Sequence, residues 1–185
     1  MKRSNLILLG ALGAILLFST AFQLTVNRYA QVIEKRPKTD TWNSITRTID
    51  AFTKVSTDSD ITLVYQKGAE SQLEIKTNVL FLDSITTQVE EGTLKIDVLK
   101  TLKRKDSIAI IITSPTLTGI TLGGESHLIG KDTLKGNQLT LELKEKSSAN
   151  VILDYEKVEY HNTSSGTVDI KGILNQININ NAIKK

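Results

Sequence analysis

Histidine and carboxylate side chains are the residues of this sequence that could bind a metal ion. The only two histidines, His127 and His161, fall near predicted turns of different repeats, and the chain has no cysteine. No zinc-site spacing is present, so we interpret both as surface histidines. Asp58 and Asp60 could enter a calcium loop, but its glycine and closing glutamate are absent, which favours a plain turn. The sequence therefore predicts no metal and no cofactor.

A serine, a histidine and an aspartate that are close in sequence could form a hydrolytic triad. Ser164, His161 and Asp154 supply the three residue types. However, the strained Gly-x-Ser-x-Gly turn that exposes a nucleophilic serine is absent, and a serine-rich corner between strands already accounts for Ser164. We therefore predict no catalytic residue.

Paired carboxylates are the remaining candidates for chemistry, because some β-helix proteins cleave polysaccharides. The carboxylates in the second half of the chain mostly alternate with apolar residues, which places them on the outer faces of strands. They are Glu142, Glu145, Asp154, Glu156, Glu159 and Asp169. An acid and base pair requires two of them about 5 to 9 Å apart in a groove. Any solvated sheet shows the same alternation, so the pattern does not by itself indicate an enzyme. A glycan-active enzyme is kept as the alternative.

Charge is distributed unevenly along the chain. Residues 1–40 carry six basic and two acidic side chains, which is +4, so the overall charge of +3 leaves −1 for the rest. This near-neutral balance argues against a nucleic-acid partner. The one dense basic run, 100–105, could contact anionic lipid or acidic glycans, but we favour a soluble loop between two strands.

An uncharged apolar run opens the chain. Lys2 and Arg3 precede residues 6–22, which is the form of an export signal. Small residues up to Ala21 permit cleavage, yet extension of the run through Val26 gives about 20 residues, enough to span a bilayer. We favour an uncleaved single-pass anchor over residues 1–26, with the rest of the chain on the extracytoplasmic side.

The remainder divides into a tether, a domain and a tail. Residues 27–44 are charged and lack apolar periodicity, which predicts a tether. Residues 45–181 form the predicted domain, and 182–185 a short C-terminal tail.

The first half of the domain alternates apolar and polar residues in segments bounded by Gly, Pro, Asp or Asn. These segments are 49–57, 60–68, 72–77, 85–99 and 106–115. Glu91 and Gly92 mark a tight hairpin in the fourth segment. Residues 78–85 are the one candidate helical turn after the leader. The sequence therefore predicts an all-β domain of short strands.

A loose repeat follows Pro115. Leu128, Val151 and Val168 stand 23 and 17 residues apart, an average of 20, and periods near 20 indicate a solenoid. One unit of two short strands cannot hide its apolar face alone. Stacking of successive units buries a continuous aliphatic column and pairs the backbone of each unit with its neighbours.

Clusters of small residues separate the strands of these repeats, at 123–126, 146–150 and 162–166. Glycine takes a positive φ at little steric cost, and serine or asparagine can hydrogen-bond locally to turn the backbone. We interpret each cluster as a corner of the stack rather than a reactive loop.

Together these pieces resemble a known family. DITLVYQKG, VEEGTLKID and IITSPTLTGITLGGESHLIG, followed by repeats that end in Asp-Ile-Lys-Gly, are similar to the auto-transporter adhesin head GIN domain over residues 48–179. The resemblance implies a right-handed β-helix-like solenoid that is exported and has no established activity. The sequence departs from the family pattern at 56–60, where glycine is usual, and at the two later corners. We expect a shorter stack than is typical.

The predicted function is that of a non-enzymatic, envelope-anchored β-solenoid, an adhesin-like binding or structural module. Its expected partners are the membrane, through the N-terminal helix, and an envelope glycan or protein. A glycan-active enzyme and a periplasmic stress-sensing module are the alternatives. Because open strand edges recruit other chains, the terminal strand at 177–179 is either blunted by Lys184 and Lys185 or pairs with a second copy as a homo-oligomer.

Overall fold

The computed structural model describes residues 42–99 and 107–181, and these contain twelve β-strands and one four-residue helix. The strands are β1 (Trp42–Arg47), β2 (Lys54–Thr57), β3 (Thr62–Lys67), β4 (Gln72–Asn78), β5 (Ile85–Glu90), β6 (Thr93–Val98), β7 (Ile108–Ser114), β8 (Gly119–Leu122), β9 (His127–Gly130), β10 (Leu134–Leu143), β11 (Ser148–Asn162) and β12 (Val168–Asn181). The helix, α1 (Val79–Leu82), lies in the predicted helical turn and is capped by the side chain of Asn78. The all-β prediction is confirmed.

The strands form one curled sheet with two parallel arms. In arm 1 the order is β6, β2, β8, β10, β11 and β12, and in arm 2 it is β7, β3, β9, β11 and β12. β11 and β12 are long enough to contribute to both arms. Antiparallel strands border the other end, with β5 beside β6, β4 beside β7, and β1 beside β4.

A rung is defined here as an arm 1 strand and the arm 2 strand that follows it. The β2–β3 rung lies between the β6–β7 rung and the β8–β9 rung. The rungs that follow, β10 to β11 and β11 to β12, are stacked in chain order. The order of rungs in the stack therefore differs from their order in the sequence.

The pairing register gives a repeat of 19 to 21 residues. Thr140 pairs with Gly119, an offset of 21, and Val168 pairs with Ala149, an offset of 19. These offsets agree with the predicted average of 20 residues.

The predicted register itself is wrong by two residues. Leu128 pairs with Ala149 and not with Val151, because β11 already begins at Ser148. A slip of two residues keeps each side chain on the same face of the strand. Val151 is therefore still buried, as expected.

The last strands are longer than predicted, and one corner is shorter. The predicted units consist of short strands, whereas β11 runs without a break through residues 148–162. The corner expected at 146–150 occupies 144–147, since 148–150 pair with β9. Ala149 pairs with Leu128 in this ladder and is buried.

Aliphatic side chains fill the space between the arms. One column crosses arm 1 through neighbouring strands, and all of its members are buried: Leu94, Val55, Ile120, Leu141 and Tyr160. Each fully buried side chain contributes about 1.5 to 3 kcal/mol. The stack is thus held together from inside, which the sequence pattern predicted.

The β5–β6 hairpin turns at Glu91 and Gly92, as predicted. Both residues have a positive φ, 50° and 71°, as a two-residue type I′ turn requires. The carbonyl oxygen of Gly92 accepts the N–H groups of Thr53 and Lys54 at 3.0 and 3.1 Å. The hairpin is therefore tied to the start of β2.

Several predicted segments fall outside the described residues. They are the leader at 1–26, the basic run at 100–105 and the tail at 182–185. β1 begins at Trp42, within the predicted tether. In the ranges that the structure describes, no helix is long and apolar enough to cross a bilayer.

Candidate binding groove on the outer face

The outer face of arm 1 carries polar side chains in rows that cross the strands. One row contains Thr93, Lys54, Gly119, Thr140 and Glu159. A second row contains Lys95, Ser56, Thr121, Glu142 and His161. Adjacent members of a row are about 4.8 Å apart, the spacing between paired strands. The pairing of the rungs thus aligns outward-facing side chains that can hydrogen-bond to a ligand.

An open groove of about 890 Å³ lies over the part of these rows on β6, β2 and β8 and reaches Thr140 on β10. Ser56, Gly119 and Thr121 line it with short side chains or none. A Cβ at Gly119 would lie 3.0 Å from Cγ of Lys54, so glycine leaves room for the aliphatic stem of that lysine. The depression arises because these short residues are bordered by longer ones.

The charged residues at the border of the groove balance one another. They are Lys54, Lys95, Glu90 and Glu91. Lys95 forms an ion pair with Glu90, and the hydrogen bond between them raises the pKa of Lys95. Lys54 makes no ion pair within the described residues. The groove is therefore a neutral, hydroxyl-rich surface with one lysine free to meet a ligand.

The two histidines occupy different parts of the surface. Nδ1 of His127 hydrogen-bonds Oγ of Ser148 on the next rung. Nδ1 of His161 lies 3.5 Å from Nδ2 of Asn180. In residues 42–99 and 107–181, no three His, Asp or Glu side chains converge to hold a metal ion.

The structure does not bring the considered triad together. Oγ of Ser164 donates to the carbonyl oxygen of Ser147 at 2.5 Å, and Asp154 is ion-paired with Lys135 at 2.8 Å. His161 and Asp154 are seven residues apart on β11 and lie opposite different residues of β10, Glu142 and Lys135.

Four of the six considered carboxylates are ion-paired with lysines on the outer surface. The pairs are Glu142–Lys144 (3.2 Å), Asp154–Lys135 (2.8 Å), Glu159–Lys157 (2.7 Å) and Asp169–Lys171 (2.8 Å). The hydrogen bond from Lys157 lowers the pKa of Glu159. A general acid requires the opposite shift. Glu156 is exposed, and Glu145 is directed into a corner.

The Gly-Gly-Glu-Ser cluster at 123–126 is the corner between β8 and β9. The carboxylate of Asp60 accepts the N–H of Glu125 at 2.9 Å. A Cβ on Gly123 would collide with the carboxylate of Asp58. Asp58 and Asp60 therefore support the corner of the next rung.

The groove residues were not singled out from the sequence. Lys54, Thr121 and Thr140 are ordinary outward-facing residues of alternating strands. In the sequence, Gly119 was the one residue that could have indicated the groove, because a glycine in a strand often marks a place where a ligand or another backbone approaches closely.

The fold places the chain among all-β proteins built from stacked parallel strands. It belongs to the family described as "Putative auto-transporter adhesin, head GIN domain", whose model matches residues 51–183. The resemblance seen in the sequence is confirmed, and an adhesin family indicates an extracellular or surface location. No curated protein matches the sequence.

Solved structures share the fold. A putative adhesin from Bacteroides fragilis has a TM-score of 0.62 at 22% identity, over 71% of this chain and 62% of that one. A putative lipid binding protein from Parabacteroides distasonis has a TM-score of 0.65 at 16% identity, over 77% and 63%. A putative adhesin from the same species has a TM-score of 0.62 at 14% identity, over 77% and 68%. The chain spans less than two thirds of the first two structures.

Proposed function

We propose that this chain is a non-enzymatic, adhesin-like module of a bacterial cell envelope and that the arm 1 groove binds a neutral glycan. The observation that carries the proposal is the ladder of hydroxyl groups around the gap at Gly119. Serine and threonine hydroxyls both donate and accept hydrogen bonds, as sugar hydroxyls do.

The shape of the groove supports an extended ligand. The hydroxyls of Ser56, Thr121 and Thr140 lie on three neighbouring strands. Ser56 and Thr121 are directly opposite each other, about 4.8 Å apart, and Thr140 lies diagonally beyond, opposite Gly119. A chain of sugars that crosses the strands obliquely can meet one hydroxyl on each strand. Single contacts on so open a surface are weak, so affinity would grow with the length of the glycan.

Titration of envelope and capsular polysaccharides into the full chain tests this proposal. Gly119→Gln places a side chain on the floor of the groove, and we expect binding at least about tenfold weaker, equivalent to about 1.4 kcal/mol. The folded state should be preserved because the new Cβ meets only the flexible stem of Lys54.

Thr46→Gln is the matched control, because Thr46 is exposed on β1, outside the groove. It should leave binding unchanged. Equal binding by wild type and Gly119→Gln would contradict the proposal, as would no binding to any polysaccharide tested.

We place the domain outside the cytoplasm, anchored by residues 1–26. The support is the uncharged run at 6–22 behind Lys2 and Arg3. Intact mass of the protein from washed membranes tests the anchor. A mass that lacks the residues up to Ala21 would show that the leader is a cleaved signal peptide and not an anchor.

The stack is proposed to wind as a right-handed solenoid. Parallel strands joined by crossovers are right-handed in about 98% of cases, and the constant offsets along β10, β11 and β12 support a regular winding. A crystal structure would test the hand directly.

The alternative of a glycan-active enzyme has its own test. The triple variant Glu142→Gln, Asp154→Asn, Glu156→Gln should bind glycans as wild type does. If the wild type hydrolyses a polysaccharide and this variant does not, the enzyme alternative replaces the binding module.

A further inference from the structure

Exposed apolar side chains collect at the antiparallel border of the sheet, around the helix α1. Trp42 begins β1 and pairs with Asn78, the residue that caps α1. Leu99 follows β6, and its N–H donates to the carbonyl oxygen of Ser84, two residues beyond α1, at 2.8 Å. We define the end patch as four residues of this border that are 59%, 41%, 53% and 76% exposed: Trp42, Val79, Leu80 and Leu99.

Neighbouring residues hold the end patch in place. Phe81 and Leu82, the other two residues of α1, are partly buried and pack against the core. The guanidinium of Arg47 on β1 donates to the carbonyl oxygens of Leu82 at 3.2 Å and Ile85 at 2.8 Å. One side chain therefore joins β1, α1 and the start of β5, and the apolar residues of the patch are carried on a fixed support.

The end patch lies where the chain enters the sheet. Trp42 is the first residue of β1, and the uncharged run at 6–22 precedes it in the sequence. Fifteen residues, 27–41, separate the proposed anchor from Trp42, and a segment of that length spans at most about 50 Å. A membrane that holds the anchor is therefore within reach of this end of the domain, and tethering raises the effective concentration for a contact.

The sequence next to the end patch has the charge that an anionic bilayer attracts. Residues 100–105, directly after Leu99, contain four basic side chains and no acidic one. Basic residues beside an apolar surface add attraction to anionic headgroups. The sequence alone favoured a soluble loop at this position, but the exposure of Trp42 and Leu99 favours a lipid surface.

We propose that the end patch docks the domain on the surface of an anionic lipid bilayer. Tryptophan and aliphatic residues of an interfacial segment settle at the boundary between headgroups and acyl chains, about 5–10 Å deep. None of the four patch residues lines the arm 1 groove, so docking and glycan binding use different residues. The inference rests on the proposed anchor, although an anchored chain could also hold its domain away from the bilayer.

The fluorescence of Trp42 tests the docking directly, because this residue is the one tryptophan of the chain. The full chain is reconstituted in vesicles of phosphatidylcholine and phosphatidylglycerol, with and without bromine on the acyl chains, which quenches tryptophan on contact. We expect emission at a shorter wavelength than in water and loss of most of it in the brominated vesicles. Vesicles of phosphatidylcholine alone should quench less, and equal quenching there would overturn the preference for anionic lipid.

A relocated tryptophan is the matched control. Trp42→Phe with Ile129→Trp moves the fluorophore to the outer face of β9, four strands from β1 in the sheet, where Ile129 is 43% exposed. This variant should keep its emission in brominated vesicles. Strong quenching would mean that another face of the domain meets the lipid, which would overturn the proposal.

Acidic substitutions in the end patch provide the second test. Val79→Asp with Leu99→Asp should remove most of the quenching of Trp42 while the chain still floats with the vesicles, and folding should be preserved because both side chains are exposed. Ile129→Asp with Ile152→Asp, at residues that are 43% and 48% exposed, is the control and should be quenched as wild type is. Unchanged quenching in the patch variant would contradict docking through these residues.

Flotation separates this inference from the anchor on which it rests. A wild type that floats with the vesicles while Trp42 emits as in water would overturn the docking alone. A chain that does not float would overturn the anchor as well.

Discussion

The carboxylate of Glu145 accepts a hydrogen bond of 2.7 Å from the backbone N–H of Gly124. The two residues occupy equivalent positions in successive corners, and both have a positive φ, 56° for Glu145 and 59° for Gly124. Glycine adopts this conformation at little cost, whereas an L side chain there costs about 1–2 kcal/mol. The hydrogen bond to Gly124 offsets part of that cost, so the side chain of Glu145 joins two rungs.

Glu91→Asn should stabilise the protein. Glu91 has a φ of 50° in the turn between β5 and β6, and asparagine before glycine is strongly preferred in this type of turn. We expect the free energy of unfolding to rise by about 0.5–1 kcal/mol, measured by urea denaturation.

Glu145→Asn is the matched control for that gain. Its φ is also positive, but the shorter side chain withdraws the acceptor from the N–H of Gly124. We expect no gain, and a loss of up to about 1 kcal/mol. Equal stabilisation by both substitutions would contradict the role assigned to the carboxylate of Glu145.

Ser147→Ala should destabilise the corner between β10 and β11. Ser147 is fully buried, its Oγ donates to the carbonyl oxygen of Lys144 at 2.7 Å, and it accepts the N–H of Lys144 at 3.1 Å. The N–H and carbonyl oxygen of Lys144 keep their backbone partners, Leu122 and Ser147, so the expected cost is that of the lost side-chain hydrogen bonds, about 0.5–1.5 kcal/mol. Ser165→Ala, at an exposed hydroxyl of the next corner, should cost less in the same thermal unfolding series.

Gly172→Ala should weaken the attachment of β12. Its φ of 132° disfavours any L side chain, and a Cβ would collide with the carbonyl oxygen of Leu153. We expect a loss of about 1–3 kcal/mol and faster amide hydrogen exchange confined to β12. Gly119→Ala, whose Cβ meets only the stem of Lys54, should leave both measurements near wild type.

Stability should fall at alkaline pH because of a buried tyrosine. Burial is the largest cause of the raised pKa of Tyr155, whose hydroxyl donates to the carbonyl oxygen of Leu117 at 2.7 Å. The unfolded chain releases this proton above about pH 10 while the folded chain retains it. The contribution is thus fully present below pH 10 and is lost as the pH rises beyond it.

Tyr155→Phe isolates this effect. At pH 7 we expect a loss of about 1–3 kcal/mol, because the carbonyl oxygen of Leu117 loses its donor. Between pH 9 and pH 11 the variant should lose stability less steeply than wild type in urea denaturation. Some slope will remain, since burial also raises the pKa of Tyr65. Identical slopes would mean that Tyr155 does not control alkaline unfolding.

Local patterns predicted the strands and the inner face well. Alternation located β2 to β7, and Glu91-Gly92 located the hairpin, because both signals act between neighbouring residues. The register of β11 was not predictable, since Ala149 and Val151 are both small apolar residues on the same face. The groove was not predictable either, because Lys54 and Gly119 are distant in sequence and meet only through the pairing of β2 with β8.

The interior position of the β2–β3 rung affects how the domain can fold. Residues 54–67 are synthesised before both of the rungs that flank them, so the stack cannot grow from one end in step with synthesis. Their partners lie about 40 to 65 residues further along the chain, and such long-range contacts slow folding. Truncation from the C-terminal side would remove rungs one at a time. Deletion of 54–67 would instead leave three groups of strands with no pairing between them: β5 with β6, β4 with β1 and β7, and β8 to β12.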